Sequence, residues 1–196
     1  MEPRFDDSIT SLNDYLSRND FKNTLILLAI CDEGSVHLNK ITAGFEFLKK
    51  YPLSFRSGFA MIYDSDSETE TYEIGKSVSV NGEFVCSDGI VHNLLVESCG
   101  FIAGTTLGYA RFYVDGKLNT CIENRGLNVC IISKEDFAVK DLFCVDTYDD
   151  PSLTIKRYTE ENIIPIAEEG MDQNALRIAA DLCRTGRAGG GQLMIL

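Results

Sequence analysis

The 196-residue chain has no tryptophan, two histidines, four prolines, and 18 basic residues against 30 acidic ones. Each shortage excludes something. With a formal net charge of −12, nucleic acid is excluded as a partner class, because phosphates are held by clustered Lys and Arg. An anionic membrane surface is disfavoured for the same reason. No apolar run reaches the roughly 20 residues of a membrane span. The two histidines, His37 and His92, have no Cys/His spacing around them that would make a zinc site. "GRAGGGQ" at 186–192 lacks the Lys and the spacing of a phosphate loop. The start, "MEPRFDDSIT", lacks the basic-then-apolar order of a signal peptide. No cofactor and no metal are therefore expected, and the chain reads as soluble.

What is present is ordinary for a globular protein: 44% apolar and 24% charged residues. The length suits one large domain or one and a half small ones. Seven cysteines form no CxxC pair. Several sit in apolar runs such as "NVCIIS" and "LFCVD", where Cys behaves as a small hydrophobe. They read as free core thiols, which favours a reducing compartment.

The periodicities predict a mixed chain. "SITSLNDYLSR" places Ile9, Leu12 and Leu16 on one helical face, with Ser8 or Asp7 as N-cap. "NTLILLAIC" is a strand buried on both faces. "LNKITAGFEFLKK" predicts a second helix, and "GFAMIY" a strand. "DSDSETE" is an acidic loop. "KSVSVNGEFVC" is a hairpin turning at Asn81-Gly82, and "LGYARFYVDGK" one turning at Asp115-Gly116. "LNVCIIS" and "FAVKDLFCVD" pair as strands. "PSLTIKRY", "NIIPIAE" and "DQNALRIAADLCR" then repeat the helix, strand, helix order of the first sixty residues. "LLAICDEG" aligns with "IIPIAEEG", and "GFAMIY" with "GQLMIL". The expected organisation is an N-terminal half-repeat over 1–76 and a complete domain over 77–196.

Residues 31–40, "CDEGSVHLNK", crowd polar groups onto the end of an apolar strand. A bland reading is available. Asp32, Glu33 and Ser35 can cap a helix starting near residue 38, and Arg125-Gly126 can be a turn with a solvated Arg. The acidic "DSD" at 64–66 reads as a solvated loop, since no nucleotide-binding unit lies nearby.

Several stretches resemble a known family. "VESCGFIAGTTLGYARFYVDGKL", "RGLNVCIIS" and "FCVDTYDDPS" look like the domain of the interleukin-like EMT inducer (ILEI) and its relative PANDER. "LLAICDEGSVHLN" followed by "LSFRSGFAMIY" is close to the carbohydrate-binding stem domain of protein O-mannose N-acetylglucosaminyltransferase. The resemblance covers most of the chain. It implies an α/β (α+β) fold, a β-β-α globule with two antiparallel sheets flanked by short helices, and no catalysis. It also implies a sugar site. The matching positions are Arg125 in the RG strand, Asp32 in the "DEG" strand end, and Arg56 before the next strand. Glu168 takes the place of Asp32 in the second copy. Carboxylates accept paired hydroxyl hydrogen bonds and guanidiniums donate several in a fixed fork. With no Trp, stacking on a sugar face falls to Phe55, Phe59, Tyr109 or Tyr113.

The function expected is a non-catalytic binding or structural module for a glycan or a protein surface. A homo-oligomer or a subunit of a larger particle is expected, because 1–76 alone leaves "TLILLAI" uncovered. Related domains in bacteriophage proteins point to a virion tail or adhesion component assembled in a reducing cytoplasm. One alternative is a carboxylate-dependent glycan-processing enzyme using Asp32 and Glu33 with Glu168 and Glu169. Neighbouring strand residues point to opposite faces, which weighs against it. A secreted, cytokine-like signalling protein is the other.

Overall fold

The run read as a strand buried on both faces is β1 (Thr24–Asp32), and eight of its nine residues are buried. In this computed structural model the described residues are 6, 8–41, 44–86, 89–101, 108–119 and 125–157. Along one edge β1 pairs antiparallel with β8 (Gly126–Ser133), from Thr24 opposite Ser133 to Cys31 opposite Gly126. Along the other it pairs antiparallel with β2 (Gly58–Asp64) over Leu25–Ala29. Its last two residues then leave β2 and pair in parallel with the end of β5 (Val91–Gly100), Cys31 with Cys99 and Asp32 with Gly100. β2 forms a hairpin with β3 (Thr69–Gly75). β5 lies between β4 (Ser77–Val85) and β6 (Tyr109–Val114), which turns into β7 (Lys117–Asn119). β8 continues outward to β9 (Val139–Val145) and β10 (Ile155–Arg157).

The described residues are thus mostly β. A ten-stranded mixed sheet carries a few short helices, so the α+β class holds in the coarse sense. The strands are not divided between two purely antiparallel sheets, because the β1–β5 pairing is parallel. Strands on either side of residue 76 share the sheet, through β1–β5 and β1–β8. All described residues fall within one compact unit, Met1–Ile163.

Strand alternation explains the continuous apolar run of β1. Ile26, Leu28 and Ile30 pack with Phe59, Met61, Val129, Ile131 and Phe143, under helix α1 (Leu12–Arg18) with its Leu12, Tyr15 and Leu16. Leu25, Leu27, Ala29 and Cys31 point the other way, onto Val80, Leu94, Val96, Phe112 and Ile132. The sheet curls so that both faces of one strand are core. β1 is therefore covered within the chain, and the uncovered strand that called for a partner is absent.

Several local expectations are corrected. Helix α1 is capped by Ser11, whose Oγ accepts the Asp14 N–H at 3.4 Å; Ser8 instead donates to Asp6. The second helix is two short 3-10 turns, Leu38–Lys40 and Glu46–Lys50. Between them Gly44 adopts φ +64°, which ends a helical path. Asn81-Gly82 is no turn. β4 runs straight through it, with Asn81 opposite Leu95 and Gly82 opposite Leu94. A Cβ at Gly82 would lie 2.8 Å from Ile62 Cδ1, so the glycine makes room for a neighbouring strand. Asp115-Gly116 does turn, with φ of +51° and +77°, the pair of positive values a tight hairpin requires. "DSDSETE" includes the start of β3, and Asp64 and Asp66 both receive the Lys134 ammonium at 2.7 Å. "PSLTIKRY" is not a helix: Leu153 has φ +56°, and Ile155–Arg157 pair with β9. The remaining elements of the second copy lie outside the described residues.

Candidate functional site

The polar end of β1 meets the ends of β5 and β8 because backbones approach there more closely than side chains would permit. A Cβ on Gly100 would stand 2.1 Å from the Arg56 carbonyl oxygen. A Cβ on Gly126, which has φ +96°, would stand 2.2 Å from the Val145 oxygen. Only glycine fits at such contacts. They bring the 54–57 turn against β5, and Arg125 beside the end of β1.

Asp32 and Arg56 themselves occupy the left-handed region, with φ of +62° and +60°. Non-glycine residues reach it at a cost, and such positions cluster at functional sites. Glu33 holds this arrangement in place. It is 2% exposed. Its Oε1 accepts the Ser35 N–H at 2.6 Å and the Ser35 hydroxyl at 2.5 Å, and its Oε2 accepts the Arg56 backbone N–H. Glu33 is thus a buried strut, with both oxygens held by Ser35 and the Arg56 backbone. The helix-cap reading fails too: His37 precedes the first 3-10 turn without a side-chain cap bond.

The Asp32 carboxyl is different. Its Oδ1 is buried and without a hydrogen-bond partner. Burial pushes its pKa up, and the Arg56 and Arg125 guanidiniums only partly offset this. Arg125 donates from Nε and Nη2 to Asp146 Oδ2 at 3.1 and 2.6 Å, and from Nη2 to Asp149. The Asp146 bond first, and the Asp149 bond after it, raise the guanidinium pKa further. For Asp146, burial alone would raise the carboxyl. The Arg125 bond and the backbone N–H groups of Asp149 and Tyr148 outweigh it and hold the group below the ordinary carboxylate range.

Aromatic rings surround the two cations. The Arg56 guanidinium lies 4.0 Å from the Phe101 ring centroid and 5.1 Å from that of Phe55. Arg125 lies 5.2 Å from the Tyr148 centroid. Phe55 and Tyr148 are 60% and 40% exposed, with centroids 6.4 Å apart. The site therefore presents an unpaired carboxyl oxygen, two guanidiniums and two open ring faces.

Asp32, Arg56 and Arg125 converge, although Arg125 is 69 positions from Arg56. Glu168 lies outside the described residues. Of the aromatic candidates, Phe55 belongs to the site and Phe59 is fully buried. Tyr109 is hydrogen-bonded to Ser77 and covered by Arg111, and Tyr113 lines a separate groove with Asn81 and Asn93. The residues that sequence reasoning passed over are Tyr148, Asp146, Asp149 and Phe101. The first three lie in "DTYDD", a stretch legible as a motif but not as a set of contacts to Arg125. His92 pairs with Asp115 at 2.7 Å and stacks on Phe137, and the His37 N–H donates to the Thr147 carbonyl. Among the described residues no group of three His, Cys, Asp or Glu side chains is placed to hold a metal ion, and no helix is long and apolar enough to cross a membrane. No protein-family model, curated protein or solved structure matches the chain, so a functional reading rests on the geometry of this strand-end site.

Proposed function

We propose that the chain is a non-catalytic binding module that holds a glycan at the Asp32–Arg56–Arg125 site. The observation that carries this reading is the buried Asp32 Oδ1 without a partner, flanked by two guanidiniums and two exposed rings. A sugar offers what each group lacks. A hydroxyl pair donates to the carboxylate and accepts from a guanidinium. The C–H face of a pyranose covers an aromatic ring. Glu33 supports a binding reading over acid–base catalysis, because its oxygens are spent on Ser35 and Arg56 and it cannot flank a substrate bond with Asp32.

The test is Asp32→Asn, which keeps the volume and removes the charge. Glycan affinity on an array, and by titration with the best hit, is expected to fall at least tenfold. Stability is expected to rise by up to about 1 kcal/mol, since a poorly compensated buried charge is removed. The pH dependence follows from the raised Asp32 pKa. The folded state keeps the Asp32 proton to higher pH than the unfolded chain does. Stability is therefore lost as pH rises from the ordinary carboxylate range through the raised value, and Asn abolishes that loss. Wild-type affinity should fall as pH drops through the same value. No glycan bound by the wild type at millimolar concentration would end the reading.

A place in a larger assembly, such as a phage virion tail or adhesion component, is part of the same proposal and rests on the family resemblance. With β1 covered within the chain, the homo-oligomer keeps only the family resemblance behind it, and mass by light scattering over a concentration series tests it against the 21.8 kDa of one chain. A strictly monomeric chain at all concentrations would remove the homo-oligomer.

A further inference from the structure

A second cavity lies elsewhere in the fold, where the chain enters β1 and leaves β2. It is an open pocket of about 220 Å³ lined by Phe21, Phe45, Phe47 and Tyr63, with Asp20, Lys22 and Ser65 as its charged and hydroxyl residues. Phe45 is 1% exposed and belongs to the core. Phe47 meets it edge-on, with centroids 5.8 Å apart at 63°, and stacks on Tyr63 at 4.7 Å and 17°. Phe47 and Tyr63 are only half-buried, so part of each ring remains open to the cavity. Gly44 forms part of the wall and contributes no side chain to obstruct it.

The volume suits a head group rather than a whole drug-sized ligand. Charge selects further. Burial raises the Tyr63 hydroxyl pKa, and Glu68, Glu70 and Asp64 add to it against Lys50 alone. Tyr63 stands opposite Glu70 across the β2–β3 pairing and is followed by Asp64, so acidic residues neighbour this ring. Lys50 is already held by Glu70, and Lys134 by Asp64 and Asp66. Lys22 and Asp20 are both exposed, so both charges are hydrated, and the Lys22 backbone N–H donates to Asp20 Oδ1 at 3.0 Å, which holds that carboxylate in the lining. Ring faces attract cations electrostatically, and aromatic-lined cavities with a nearby carboxylate take quaternary ammonium groups. Elsewhere in the chain protein cations stack on rings, as Arg56 does on Phe101; among the described residues none stacks on Phe47 or Tyr63.

We infer that the Phe47–Tyr63 cavity binds the trimethylammonium group of a small organic cation, with Asp20 at its mouth as counter-charge. The test is titration of the full chain by calorimetry, with choline, phosphocholine and the neutral isostere 3,3-dimethylbutan-1-ol as probes. Choline or phosphocholine is expected to saturate at millimolar concentration or below. The isostere should bind at least tenfold more weakly, because it has the shape without the charge. Tighter choline binding identifies a free cation as the source; tighter phosphocholine binding identifies a head group whose phosphate meets Lys22. Phe47→Leu and Tyr63→Leu keep apolar bulk and should each weaken binding about tenfold, and Asp20→Asn should weaken it by a smaller factor without touching the core. Circular dichroism melting checks that each variant is folded. The inference is overturned by equal affinity for the isostere, by no saturation with either cation, or by folded Leu variants that bind as the wild type does.

Discussion

Gly100→Ala is expected to destabilise the chain by about 3 kcal/mol or more, the range reached when a buried group is forced against rigid neighbours. The added Cβ would stand 2.1 Å from the Arg56 carbonyl oxygen, 2.8 Å from its carbon and 3.0 Å from the Gly58 nitrogen. All three atoms are backbone, so no rotamer change relieves the clash. Either the β1–β5 pairing opens at Asp32 and Gly100, or the 54–57 turn lifts away. Both outcomes move Arg56 from Asp32, so glycan binding should be lost even in the fraction that folds. Urea unfolding, followed by tyrosine fluorescence, measures the first effect through its midpoint. An unchanged midpoint would mean that the strand end and the turn are not in the contact described.

Glu33→Gln is the second large effect, with an expected loss of about 2–4 kcal/mol. The substitution is nearly isosteric, so it isolates hydrogen bonding from packing. Glu33 accepts the Ser35 N–H and hydroxyl on one oxygen and the Arg56 N–H on the other. An amide replaces one acceptor with a donor, and whichever way it turns, a donor faces a donor in a buried setting. Bonds to a charged acceptor contribute more than neutral ones, and an unpaired buried donor costs about 1–3 kcal/mol on its own. Glu33→Gln should also weaken ligand binding, because the strained Arg56 backbone depends on this carboxylate. The discriminating comparison is with Asp32→Asn, one residue away. Opposite signs in the thermal midpoints, up for Asp32→Asn and down for Glu33→Gln, would separate the ligand-facing carboxylate from the structural one. Matching signs would refute that division of roles.

Local chemistry alone determined a good part of this protein. β1 was legible because eight of its nine residues are buried, on both faces, and leave no polar alternation to disguise the run. β8 was legible for the same reason, being buried throughout, and β9 from its apolar end, where Phe143–Val145 are buried. Asp115-Gly116 turned as written because two consecutive positive φ values suit those residues. Asp32, Arg56 and Arg125 were legible as residue types able to hold a polyol, but the sequence divided them between the 1–76 half-repeat and the 77–196 domain, and only the β1–β8 pairing brings Arg125 to the end of β1.

The tertiary structure decided the rest, through contacts between residues far apart in the chain. Asn81-Gly82 carries the strongest short hairpin signal, yet it lies inside β4, because Ile62 of another strand fills the space beside Gly82. "PSLTIKRY" has helical spacing, but its backbone groups pair with β9. Asp32 and Glu33 look equivalent in sequence. Folding turned Glu33 toward the Arg56 backbone and left Asp32 with an unpaired oxygen. Phe55 and Tyr148 lie 93 positions apart, and the two rings share the site only because β8 lies against β1 and β5 meets the end of β1. Side-chain type and periodicity are local properties, whereas partner and burial depend on which strands the sheet brings together, and that is where the surroundings of each residue at this site were decided.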